Sequence, residues 1–266
     1  MNPVEVQPGL GPIVLGLPHT GTHVPKDVAA KLNVRGLELS DTDWHIEKLY
    51  ADLLPDVTTV RATFHRYVVD ANRDPSGASL YPGQNTTGLV PFTDFDGHNI
   101  WNDAPDGAEI ERRRQQFHAP YHAALESEMQ RVTKLHGVAI LYDCHSIRSH
   151  IPFLFEGTLP DFSIGTNNGT TCAKTIEAVT EQICSEATGY TSILNGRFKG
   201  GWTTRHYGKP EQSWHAIQME LTQSVYLKSE SPPWAYDPAK AENLRQHLSD
   251  ILETLTKLAA QLGKAS

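Results

Sequence analysis

The chain has 266 residues, enough for one large domain, because single cores stop growing near ~250–300 residues. Its net charge of -8, with no long Lys/Arg-rich segment to supply a local basic patch, argues against nucleic acid and anionic membrane surfaces as partners. No stretch approaches the ~18 consecutive apolar residues of a membrane span, and no basic region precedes the short apolar stretch near the N-terminus, so a soluble, cytoplasmic chain is expected.

Residues 12–18, PIVLGLP, are a short apolar run closed by Pro18, the pattern of a doubly covered strand leading into a loop at His19. A helix is expected from about Pro25 and a second from about Asp41 to Leu54, with Ser40 or Asp41 as its cap. Two β-rich pieces follow, VTTVRATF and RYVVDAN. Residues 71–107, dense in Gly, Pro, Asn and Asp, read as a long functional loop. Asp106 is placed to cap a long helix over Gly107–His136 with a kink at Pro120. The strand GVAILYD (137–143) then leads to DCHSIRS; after it come a helix at about 170–187, the segment YTSILN, the glycine-rich turn GRFKGGW and the strand HAIQMELT. The last helix runs to about Leu262, with Asp237 as cap and Pro238 at its first position. Alternating strands and helices predict a three-layer α/β sandwich, with a central mixed, mostly parallel sheet flanked by helices. No repeat or linker divides residues 1–266, so one domain is expected.

Three cysteines, Cys144, Cys172 and Cys184, lack any CxxC spacing and read as small buried hydrophobes. The strand ends carry the chemistry. In open α/β sheets ligands bind beyond the carboxyl ends of the strands, and His19, Asp143 with His145, and Glu220 all fall there. Period-2 alternation puts Gln218 and Glu220 on one face, opposite Ile217, Met219 and Leu221, and likewise pairs Asp143 with His145 while Cys144 points away. Isolated carboxylates buried there cost several kcal/mol, so a cation or mutual pairing must compensate them.

Two histidines and one carboxylate with an open fourth position are the ligand set of catalytic zinc. The candidate ligands are His19, His145 and Asp43, with Asp41, Glu47 and His23 as competing choices; cobalt, iron or manganese fit the same donors. Glu220 is the candidate general base for a metal-activated water. Asp143 is the candidate partner that orients a ligand imidazole. Arg66, Asn72 and Arg73, where HRYVVDANRDP enters the long loop, suit bidentate recognition of carboxylates on a small anionic substrate. Arg148, Arg205 and His206 are further donors.

The motifs PHTGTHVP, DTDWHIEKLY, HRYVVDANRDP, LYPG, DCHSIRS, GGWTTRHYG and AIQMELTQSVYL, in this order from about residue 13 to 227, together resemble the N-formylglutamate amidohydrolases, also called N-formylglutamate deformylases. The resemblance implies a metal-dependent hydrolase that releases formate and L-glutamate from N-formyl-L-glutamate in the last step of histidine degradation. It also implies a distant likeness to zinc carboxypeptidases, in which the corresponding strand-end histidine binds zinc, an Asn-Arg pair grips the substrate carboxylate and a late strand glutamate is the base. Those roles fall here on His145, on Asn72 with Arg73, and on Glu220. Carboxypeptidases place histidine and glutamate three apart on one loop, and HTGT has no acid at that spacing, so the third ligand departs from that pattern. Hydrolysis of other N-acyl amino acids or small peptides, or binding of an anionic amino acid without turnover, are the alternatives.

Overall fold

The computed structural model describes residues 1–79 and 83–264; Leu80, Tyr81 and Pro82 of the LYPG motif lie outside them. The elements in chain order are β1 (Val4–Gln7), β2 (Ile13–Leu17), α1 (Lys26–Ala29), α2 (Val34–Leu37), α3 (Ile46–Tyr50), β3 (Thr58–Ala62), α4 (Gly107–Arg113), α5 (Ala119–His136), β4 (Ala139–Ile147), β5 (Phe162–Gly165), α6 (Lys174–Glu186), β6 (Ser192–Leu194), α7 (Trp202–Tyr207), β7 (Trp214–Thr222) and α8 (Pro238–Leu262). The strands form one sheet in the order β1-β3-β2-β4-β7-β5-β6. β2 pairs parallel with β3 and β4, β4 with β7, and β5 with β6; β1–β3 and β5–β7 are antiparallel. This is the expected mixed, mostly parallel α/β sheet with helices on both faces.

Why the sheet holds its centre follows from alternation. On one face Ile140, Tyr142 and Cys144 of β4 and Ile217, Met219 and Leu221 of β7 pack against Leu244, Leu248, Ile251 and Leu252 of α8. On the other, Ala139, Leu141 and Ala216 pack with Tyr121, Leu125, Met129 and Val132 of α5. Toward the carboxyl ends that second face turns polar, at Asp143 and His145 and at Gln218 and Glu220, and there α7 takes over from α5 as the cover. No helix among the described residues is long and apolar enough to cross a membrane.

Several expectations are corrected by tertiary contacts. The helix expected over 41–54 forms only at Ile46–Tyr50, behind His45 at φ 60°. Asp41 does not cap it: its Oδ2 accepts from Tyr67 Oη at 2.7 Å and from the Phe95 amide at 2.9 Å. RYVVDAN folds as turns rather than a strand, although Tyr67, Val68 and Val69 are buried. The strand expected to end at Asp143 continues to Ile147, so His145 lies within β4. Strands β1 and β5 escaped detection because each is only four residues long, and α7 starts inside the segment read as a glycine turn. The caps Asp106 and Asp237 form, accepting from Glu109 N at 2.8 Å and Ala239 N at 3.1 Å. The break near Pro120 is a π-helical turn over Arg114–His118, placed where a proline cannot donate to the carbonyl one turn back.

Leu248 is fully buried between α8 and the sheet. Leu248→Ala is expected to lower unfolding stability by about 2–5 kcal/mol, read as a lower urea midpoint with an unchanged slope; a midpoint within error of wild type would refute this account of the core.

Candidate active site

His19 follows β2, and the turn before α3 returns beside it, where the Asp43 amide donates to the His19 carbonyl at 3.1 Å. β4 then brings His145 alongside. Asp43 Oδ2 lies 3.1 Å from His145 Nδ1 and 3.7 Å from His19 Nδ1, and accepts from the Ser146 amide at 3.1 Å. The two imidazole centroids are 4.9 Å apart. One donor atom from each of His19, Asp43 and His145 falls within a 4.8 Å sphere of the others, and all three side chains are buried. Of the competitors for the third position, Asp41 is engaged with Tyr67 and Phe95, and Glu47 lines a groove on the opposite side of the sheet. His23 is tied by its backbone to Thr63 and His65 and does not line the pocket.

Each imidazole is held from behind. His19 Nε2 donates to Asp70 Oδ1 at 2.7 Å, which leaves Nδ1 as the nitrogen turned toward Asp43. That Nδ1 is buried and takes no hydrogen bond from any described residue, and an orphaned buried acceptor beside a carboxylate is what a ligand set for a cation leaves behind. His145 Nε2 lies 3.2 Å from Asp143 Oδ1 and 3.0 Å from Asn72 Nδ2. Asp143 Oδ2 in turn accepts from Thr204 Oγ1 at 2.9 Å. The residues present therefore fit a divalent metal bound through the two Nδ1 atoms and the Asp43 carboxylate.

The electrostatics point the same way. Burial opposes the imidazolium of His145, but Asp143 and Asp43 outweigh it and raise its pKa well above the usual value. Burial likewise opposes ionisation of Asp43, and His145 and His19 reverse that and hold the carboxyl far below the ordinary range. Asp70 is held low, against burial, by Arg66 and Arg73. Three buried carboxylates thus surround the imidazoles, and positive charge between them is favoured.

β7 runs parallel to β4 with Glu220 directly across from His145 and Gln218 across from Asp143. Burial pushes the Glu220 carboxyl well above the usual glutamate range. Both residues line one pocket together with His19, Asp43 and His145. Arg66, Asn72 and Arg73 line the same pocket. Arg66 is committed inward: it donates to Asp70 Oδ2 at 2.7 Å, stands 3.9 Å from Asp43 Oδ1 and lies over the Phe95 ring. Arg73 is the more accessible, and donates to the carbonyl and hydroxyl of Thr87 at 2.8 and 2.9 Å. Arg205 and His206 do not line the pocket; they sit on α7, where His206 stacks on Trp202. Arg148 pairs with Asp96 at 3.0 Å outside it.

Sequence reasoning set Gln218 beside Glu220 without giving it a role, and did not single out Asp70 or Arg197. The signal for Asp70 was present, an acid directly after the apolar run YVV, where only a partner excuses burial. Arg197, in the glycine-rich GRFKGG, carried no such signal; it lines the pocket and donates to the carbonyls of Leu154 and Asn85 at 3.0 and 3.1 Å.

An α/β sheet whose carboxyl ends gather two histidines, an aspartate and a separate buried glutamate in one small-molecule pocket defines a site of the hydrolytic class. Comparison with known proteins narrows it. The family model described as N-formylglutamate amidohydrolase matches residues 11–227, and the chain belongs to that family. The N-formylglutamate deformylase of Pseudomonas aeruginosa is 44% identical over 251 residues, covering 93% of each chain. That of Pseudomonas putida is 42% identical over 254 residues, covering 94% of each. The crystal structure of N-formylglutamate amidohydrolase from Ralstonia eutropha JMP134 superposes with a TM-score of 0.81 at 24% identity, over 98% of this chain and 99% of that one, and shares the fold.

If His19, Asp43 and His145 hold the metal, His19→Ala and Asp43→Asn should each abolish stoichiometric transition metal in purified protein by elemental analysis, while Asp41→Asn retains it. Full metal content in the Asp43→Asn protein would overturn this assignment.

Proposed function

We propose that the chain hydrolyses N-formyl-L-glutamate to formate and L-glutamate, closing histidine degradation, with one divalent transition metal, zinc foremost, held by His19, Asp43 and His145. The observation that carries this reading is the convergence of those three buried side chains within 4.8 Å in the pocket that Glu220 also lines. Membership of the family, and the names of its Pseudomonas relatives, support the formyl amide as the scissile group.

When bound, the ion contributes Lewis acidity, polarising a carbonyl and lowering the pKa of water to about 7. The remaining work belongs to the chain. Glu220 takes a proton from water as the oxygen attacks the formyl carbon, and returns it to the amide nitrogen as the C–N bond breaks. A carboxyl whose pKa burial has raised suits both directions of that transfer. Asp70 and Asp143 hold the imidazoles in place. Arg66, beside Asp43, puts positive charge at the pocket floor as the tetrahedral oxyanion develops. Asn72 and Arg73 grip substrate carboxylate through planar, directional donors. An acidic chain of net charge -8 needs such concentrated positive charge to hold a dianion.

Glu220→Gln should lower formate release by about 10²–10⁴-fold while metal content and substrate binding stay near wild type; near-normal turnover would remove it as the base. Arg73→Lys should weaken N-formylglutamate more than an uncharged formamide, measured as kcat/KM for both, because lysine loses the bidentate fork. Equal losses on the two substrates would refute the carboxylate grip.

A further inference from the structure

Gln218 is a buried amide in the catalytic row of β7, 3% exposed, and the roles above leave it without a task. Its surroundings fix which end of the amide points where. Gln218 Oε1 accepts from the Gly201 backbone amide at 2.7 Å, so it is the oxygen that faces the start of α7. The NH2 group must then face the other way, and Nε2 donates to Glu220 Oε2 at 3.0 Å. A flipped amide would set its NH2 against a backbone N–H and its oxygen against a carboxylate oxygen, leaving two buried donors and two buried acceptors mismatched.

The same backbone turn moors a second amide. Asn72 Oδ1 accepts from the Thr203 amide at 2.9 Å, and Asn72 Nδ2 lies 3.0 Å from His145 Nε2. Residue 201 has to be glycine for this, because a Cβ there would run into the Asn72 side-chain amide. The start of α7 therefore fixes two side-chain amides, one aimed at a candidate ligand histidine and the other at the candidate base.

We infer that Gln218 is a positioning residue for Glu220, moored on the Gly201 amide so that its NH2 occupies Glu220 Oε2 and leaves Oε1 to exchange the proton with water and the leaving nitrogen. Glu220 Oε1 takes no hydrogen bond from any described residue, and Glu220 lines the pocket. A carboxylate free to rotate presents either oxygen at varying angles; one tethered oxygen holds the other in a single direction, and sub-ångström placement of a base is worth orders of magnitude in rate. Because α7 anchors both amides, a shift of its first turn would misalign the base and the Asn72 contact together.

This inference rests on Glu220 being the base, and the test separates the two. Gln218→Met removes both hydrogen bonds at nearly constant volume, and Gln218→Asn keeps an amide too short to reach both partners. In metal-loaded protein each is expected to lower kcat for N-formylglutamate by about 10- to 100-fold, with KM and metal content within about twofold of wild type. In the Glu220→Gln background the same substitutions should cause no further loss, since the group they position is gone. If Glu220→Gln is inactive yet both Gln218 variants keep wild-type kcat, or lose activity only through KM or metal, the positioning role is overturned while the base stands. Additive losses in the double variants would overturn it equally. If Glu220→Gln itself turns over normally, the base reading fails first.

Discussion

The site depends on the parallel register of β4 against β7. Pairing Asp143 with Gln218 and His145 with Glu220 sets a candidate metal ligand and a candidate proton carrier in one row on one face, with the residues that hold them in the row beneath. Because side chains alternate with a period of two, a slip of one residue in either strand would exchange that row for Cys144 and Met219 and send the chemistry into the α8 core. The apolar packing of β4 and β7 against α8 on the other face is thus also what keeps the polar row in place. Stability and function share the same register.

Around that row the molecule solves an electrostatic problem. Asp43, Asp70 and Asp143 are buried within reach of two imidazoles, and isolated buried carboxylates would be costly. Arg66 offsets part of the charge through Asp70 and Asp43. What remains is a pocket that favours a cation at its floor and, through Arg73 and Arg197 on its walls, anions nearer its mouth. A small substrate carrying carboxylates at one end and a polarisable carbonyl at the other matches that gradient.

Short irregular segments do much of the assembly. The turn before α3 brings Asp43 to His19, the loop at 70–73 brings Asp70 and Asn72 behind the imidazoles, and the start of α7 holds Asn72 and Gln218. None of these is a regular element with its own periodicity. Their conformations are set by side-chain to backbone hydrogen bonds across long sequence separations, as between Asn72 and Thr203 or Gln218 and Gly201.

What the sequence by itself determined is the α/β class, the central strands β2, β4 and β7, the caps Asp106 and Asp237, and the candidate residues of the site, because each rests on local spacing: apolar runs, period-2 alternation, and acids at helix starts. His19, Asp43, His145 and Glu220 were all visible as chemically expensive residues at strand ends or turns. Only the tertiary structure decided that Asp43 rather than Asp41 meets the histidines, that Asp70 backs His19, that Arg205 and His206 are not among the residues lining the pocket, and that RYVVDAN is a turn. Those outcomes turn on which buried donor finds which acceptor. Asp41 is taken by Tyr67 and Phe95 and Asp70 by His19 and Arg66, and no local propensity encodes such pairings between distant parts of the chain.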